Sequence, residues 1–183
     1  MKPKILITRR LPLRVIEAAQ ARFDVTLRDS HHPLAPDELR QCLRDYDRVL
    51  PTLGDRFQAD VFADVPDRKA KILANFGVGF NHIDAGAARA AGVEVTNTPG
   101  AVTDATADIA LTLILMTARR AGEGERRLRA GQWDGWGPTQ MLGTHVTGKT
   151  VGIIGMGRIG KAIARRCHFG FGMTIIFHNR SAL

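Results

Sequence analysis

Val151-Gly152-Ile153-Ile154-Gly155-Met156-Gly157-Arg158-Ile159-Gly160 is the stretch on which the reading of this 183-residue chain turns. A short apolar run enters a G-x-G-x-x-G loop, and Lys161 to Cys167 then has helical spacing. The pattern alone is weak, but between a strand and a helix it specifies a dinucleotide-binding turn. Gly155 allows the tight turn, Gly157 admits a pyrophosphate to the backbone, and Gly160 lets the helix pack against the strand. The amides that open the helix, at Arg158 and Ile159, face the phosphates.

Downstream, Thr174 to Phe177 reads as the next strand and leads into His178-Asn179-Arg180-Ser181. A dinucleotide fold places the group that reads the adenosine ribose about 20 residues after the last glycine. An NAD site uses a carboxylate there, and no acidic residue follows Asp134. Arg180 instead offers a charged planar fork for a 2′-phosphate, with Asn179 and Ser181 as added donors. NADP(H) is therefore expected in preference to NAD(H).

Upstream, short strands alternate with helical patterns, an order that predicts a parallel sheet covered on both faces. Strands are expected at Lys4 to Thr8, Asp24 to Arg28, Arg48 to Leu53, Lys71 to Phe76 and Val93 to Asn97. Pro51 places the third near a sheet edge or at a strand end. Helices are expected from Leu13, from Pro36, around Phe57 to Ala63 and over Asp84 to Ala91. Thr96-Asn97-Thr98-Pro99-Gly100 is a breaker cluster and marks a domain boundary. Beyond it Thr103 or Asp104 caps a long apolar helix that ends at Arg119-Arg120. The chain thus divides into residues 1–98, a connecting helix over 99–120, a basic helix and Gly/Trp/Pro loop over 121–147, and 148–183.

Composition excludes several classes. With 44% apolar and 24% charged residues the chain is an ordinary globular one. Its net charge of +8 comes largely from a tail that holds Lys149, Arg158, Lys161, Arg165, Arg166 and Arg180 without a single acid. Such a segment suits a small anion, and without interleaved aromatics it argues against nucleic acid. Two cysteines fit idle thiols in a reducing cytoplasm rather than a disulfide framework. No signal-peptide core is expected at the N-terminus, and Ile109 to Ala118 is about half the ~20 apolar residues a bilayer span needs, so no membrane role is expected.

Taken together, Asn75-Phe76-Gly77-Val78-Gly79-Phe80-Asn81-His82-Ile83-Asp84, Asn97 to Asp108, Trp133 to Gly143 and the glycine loop with its Asn-Arg-Ser ending resemble the D-isomer-specific 2-hydroxyacid dehydrogenases, most closely the glyoxylate/hydroxypyruvate reductase branch. The resemblance implies a flavodoxin-like parallel-sheet substrate domain over 1–98, then the first β/α/β part of a Rossmann domain. It implies a small 2-oxo acid whose carboxylate is held by main-chain amides over Gly77, Val78 and Gly79, and a Gly-Val-Gly turn at a strand end can aim bare N–H groups at an anion. Thr103 resembles the threonine on the nicotinamide side of the cofactor, although helix capping would equally explain it. His82 is read as a structural polar residue, and His31 and His32 as solvated. Trp133 and Trp136 resemble tryptophans of a dimer-interface loop, which implies a homodimer. The family's catalytic Arg, Glu and His correspond to positions beyond Leu183, so no catalytic residue is assigned here, and the expectation is an incomplete chain inactive on its own. The alternative is a non-enzymatic, dinucleotide-binding or dimer-forming regulatory protein.

Overall fold

A computed structural model describes residues 1–182, which form two compact units, Met1–Pro99 and the residues from Gly100 onward. The first unit carries β1 (Lys4–Ile7), α1 (Leu13–Arg22), β2 (Asp24–Leu27), α2 (Pro36–Asp45), β3 (Arg48–Leu50), α3 (Ala59–Ala63), β4 (Ile72–Ala74), α4 (Ala85–Ala90) and β5 (Glu94–Thr96). All pairings are parallel and the strand order is β2-β1-β3-β4-β5, the flavodoxin-like arrangement.

Both faces of this sheet are covered, because side chains alternate along each strand. Leu6, Val49 and Leu73 point into one core with Leu39, Leu43, Phe57 and Phe62, whereas Ile7 joins Leu11 and Ile16 on the opposite face. In α2, Asp37 and Glu38 occupy the first turn, where free N–H groups and the helix dipole favour acids, and the Glu38 carboxylate accepts the Ala35 N–H at 2.7 Å. Pro51 closes a strand in the middle of the sheet and not at its edge. Its missing N–H falls just beyond the last ladder residue, Leu50, which is why a central strand tolerates it.

The loops at the C-terminal ends of β1 and β3 meet on one carboxylate. Fully buried Asp55 accepts from Thr8 Oγ1 (2.6 Å), Thr52 N (2.9 Å) and Leu34 N (2.9 Å), and pairs with Arg9 at 3.0 Å. Every acceptor position of the buried charge is used, as burial demands.

The second unit carries α5 (Thr103–Ala118), α6 (Ala121–Arg129), β6 (Thr150–Ile154), α7 (Arg158–Phe171) and β7 (Thr174–His178). β6 and β7 pair in parallel from Thr150↔Thr174 to Ile154↔His178. α7 is longer than the sequence pattern predicts. It starts directly on the glycine loop and runs until Gly172 adopts a left-handed conformation (φ +59°) that ends it. The expected cap at Thr103 or Asp104 is corrected as well: Val102 precedes the first turn of α5 and no side chain caps it, so Thr103 lies inside the helix with its hydroxyl unused for capping. Asp104 and Asp108 instead turn to Arg166 on α7, at 3.1 and 2.7 Å. Among the described residues no helix is long and apolar enough to cross a membrane.

Candidate functional site

The first candidate site leaves the C-terminal end of β4. Asn75 keeps its N–H on the Thr96 carbonyl (3.0 Å) while Phe76 bonds Pro51 O (2.9 Å), so the loop departs from a fixed base. Over the next three residues the carbonyls are taken one after another. Gly77 O accepts from Asn75 Nδ2 (3.1 Å) and Thr98 N (3.0 Å), Val78 O from Asn97 Nδ2 (2.9 Å), and Gly79 O from Asn75 Nδ2 (2.9 Å). In a trans peptide the N–H points opposite to the preceding C=O. Fixing the Gly77 and Val78 carbonyls therefore turns the Val78 and Gly79 amides the other way, and neither amide has an acceptor among the described residues. Open space lies where a Gly79 Cβ would be. Two bare donors beside an open surface form a small anion cradle.

His82 stands behind this cradle and not in it. Its Nε2 lies 3.0 Å from Asn75 Oδ1, and its carbonyl accepts from Gln58 Nε2 at 3.0 Å. Burial lowers its pKa below the ordinary histidine value, against the opposing pull of the Asp55 charge.

The second candidate site is the glycine loop. Gly155 has φ +94°, a left-handed conformation that favours glycine, and its N–H bonds His178 O at 2.8 Å. Gly160 is buried, and a Cβ there would stand 2.2 Å from Gly155 O, so the close approach of helix and loop requires glycine. A Cβ on Gly157 would meet nothing within 4 Å. The amides of Gly157, Arg158 and Ile159 find no acceptor among the described residues, and they sit at the positive end of the 14-residue α7.

At the end of β7 the three predicted ribose-side residues separate. Asn179 Oδ1 accepts from Met156 N (3.2 Å) and its Nδ2 donates to Ser181 O (2.8 Å), so this side chain ties β7 to the glycine loop. Arg180 and Ser181 are exposed, and Arg180 has no ion pair among the described residues. Neither cysteine is placed for nucleophilic work: both are buried, and burial first, then the Asp55 charge, pushes Cys42 up to about 12. No cluster of metal-ligating side chains occurs among the described residues.

Residues 111–183 match the model of the D-isomer specific 2-hydroxyacid dehydrogenase, NAD binding domain. A glyoxylate reductase of Thermococcus onnurineus (strain NA1) is 43% identical over 99% of this chain and 54% of its own length. The chain belongs to the D-isomer specific 2-hydroxyacid dehydrogenase family. A glycerate dehydrogenase of Hyphomicrobium methylovorum is 40% identical over 95% of this chain and 53% of its own. A solved structure from Polaromonas sp. JS6 66, described as a D-isomer specific, NAD-binding 2-hydroxyacid dehydrogenase, superposes with a TM-score of 0.89 at 37% identity, covering all of this chain and 57% of that one. The chain thus spans about half the length of the relatives it matches.

The residues present fit the dinucleotide such a family uses: space above Gly157, unpaired helix-opening amides and a packed Gly160 are what a pyrophosphate needs. Asn75 and Asn97, present in the sequence motifs without an assigned role, hold the Gly77–Gly79 carbonyls with their carboxamides. The available signal was two asparagines at strand ends flanking a Gly-Val-Gly turn, where side-chain amides commonly bond local backbone.

Proposed function

We propose that the whole protein is an NAD(P)H-dependent reductase of a small 2-oxo acid, glyoxylate or hydroxypyruvate, with a D-2-hydroxy acid as product. The observation that carries this reading is the conjunction of two kinds of bare backbone donor in one chain: the Val78 and Gly79 amides, suited to a carboxylate, and the Gly157–Ile159 amides, suited to a pyrophosphate. The relatives named glyoxylate reductase and glycerate dehydrogenase point to the same substrate class.

In this mechanism the Gly77–Gly79 loop binds the substrate carboxylate and so limits the orientations the 2-oxo acid can take. By the family resemblance Thr103, whose hydroxyl is free of capping, would hold the nicotinamide side of the cofactor. When bound, a reduced nicotinamide would supply the chemistry of hydride transfer to the ketone carbon. Protonation of the ketone oxygen falls to the family's histidine, paired with glutamate and assisted by arginine. His82 does not substitute for it, since its Nε2 is turned to Asn75.

NADP(H) is the favoured cofactor in this reading, because Arg180 is exposed and no carboxylate follows Asp134 to receive the ribose hydroxyls. A homodimer belongs to it too: Leu128, Trp133 and Trp136 are exposed, Trp136 to 84%, and a cavity of about 380 Å³ opens beside them. The location proposed is the cytoplasm, where the free thiols of Cys42 and Cys167 persist.

The test is coenzyme consumption by the whole protein with glyoxylate and hydroxypyruvate, comparing wild type with Arg180→Ala. Wild type should prefer NADPH, and loss of the charged donor should reduce that preference at least about tenfold. An unchanged NADPH to NADH ratio would remove the cofactor assignment, and no oxidation with either substrate would remove the reductase reading.

A further inference from the structure

A carboxamide placed like that of Asn75 has two orientations related by a half-turn, and only one serves the loop. Its NH2 group donates to Gly77 O and Gly79 O, and a reversed group would set an oxygen against both carbonyls. Asn75 is 2% exposed, so water does not make up the difference. Among the described residues the one side chain that meets its other end is His82, whose Nε2 lies 3.0 Å from Oδ1. With an acceptor opposite, Nε2 is the ring nitrogen that carries the proton, leaving Nδ1 bare. His82 is itself held from behind by Gln58 Nε2 on its carbonyl.

We infer that Asn75 and His82 are positioning residues for substrate binding: the His82 Nε2–H fixes the carboxamide of Asn75, which pins the Gly77 and Gly79 carbonyls and keeps the Val78 amide, with its neighbour Gly79, directed at the substrate carboxylate. The inference rests on the carboxylate reading of this loop and adds two side chains that never touch substrate. It also explains why a histidine beside the cradle is not a proton donor in the reaction: its N–H is committed to an internal acceptor.

The experiment titrates the 183-residue chain with oxamate, a carboxylate isostere of a 2-oxo acid, and follows the Val78 and Gly79 amide resonances by NMR. Wild type is compared with Asn75→Ala, His82→Leu and His82→Gln, and the ring nitrogen shifts of His82 are recorded in the wild type. The expected result is movement of both amides in wild type, about tenfold weaker binding in Asn75→Ala and His82→Leu, substantial recovery in His82→Gln, whose carboxamide NH2 can donate in the same direction, and an Nε2–H tautomer. Should Asn75→Ala not fold, the two His82 variants carry the comparison. Wild-type response with an equal response in His82→Leu, or an Nδ1–H tautomer, overturns the positioning role while leaving the carboxylate reading intact. Silence of both amides in the wild type overturns the carboxylate reading and this inference with it.

Discussion

Single atoms decide the two loops, and the glycines separate structural from binding demands. Gly160→Ala places a methyl group against the Gly155 carbonyl, so backbone must shift, and a stability loss of about 1–3 kcal/mol is expected in urea denaturation. Gly157→Ala meets no atom of the chain, so it should fold with an unchanged midpoint and lose dinucleotide affinity in calorimetric titration. Asp55→Ala strips a buried pair and leaves Thr8, two backbone N–H groups and Arg9 without their acceptor, which should cost about 3–5 kcal/mol by the same denaturation measurement. His82 sets a pH signature. Its folded pKa lies below the ordinary value of 6.5, so the folded state takes up the proton less readily than the unfolded chain does. The stability difference between wild type and His82→Gln should therefore be constant above that value and move against the wild type as pH falls through the folded pKa. At this scale the turn at Gly155 and the close packing at Gly160 were legible, because φ and close approach are properties of a residue type. The part played by Asn75 was not, since it depends on where three carbonyls of a folded loop come to lie.

Among the elements, the strand and helix order was readable from alternation alone, and the β/α succession left a parallel sheet as its natural outcome. Boundaries were less so. The expected strand Lys71 to Phe76 contracts to Ile72–Ala74 because Asn75 and Phe76 bond out to Thr96 and Pro51 as the loop begins. Thr103 looked like a cap because threonine favours that place, yet the turn at Gly100 brings Val102 there instead. The two sheets also differ in cover. β1 is buried along Ile5–Ile7, whereas the β6–β7 pair leaves Ile154 91% and Phe177 54% exposed. Native-state hydrogen exchange should show the Ile5–Ile7 amides opening with a free energy several kcal/mol above that of Ile153 and Ile154, and equal protection would contradict this ranking.

As a whole, the chain divides into two compact units, residues 111–183 match an NAD binding domain model, and the chain spans about half the length of the relatives it matches. Family membership was legible because four motifs occur in one order, and for the Gly77–Gly79 turn and the glycine loop the structure displays the backbone geometry behind the pattern. A catalytic proton donor was not legible in the sequence, and the histidine beside the Gly77–Gly79 loop, His82, is engaged by Asn75. The 183-residue chain by itself should accordingly show no coenzyme oxidation with glyoxylate or hydroxypyruvate, and turnover near the ~1–10³ s⁻¹ of ordinary enzymes would show that a donor has been overlooked. The central claim concerns the whole protein, and its most direct test is the product. Hydroxypyruvate and NADPH are incubated with it and the glycerate formed is resolved on a chiral column against the coenzyme consumed. D-glycerate is expected in equal amount to the NADPH oxidised; L-glycerate, or no oxidation at all, would overturn the reductase assignment.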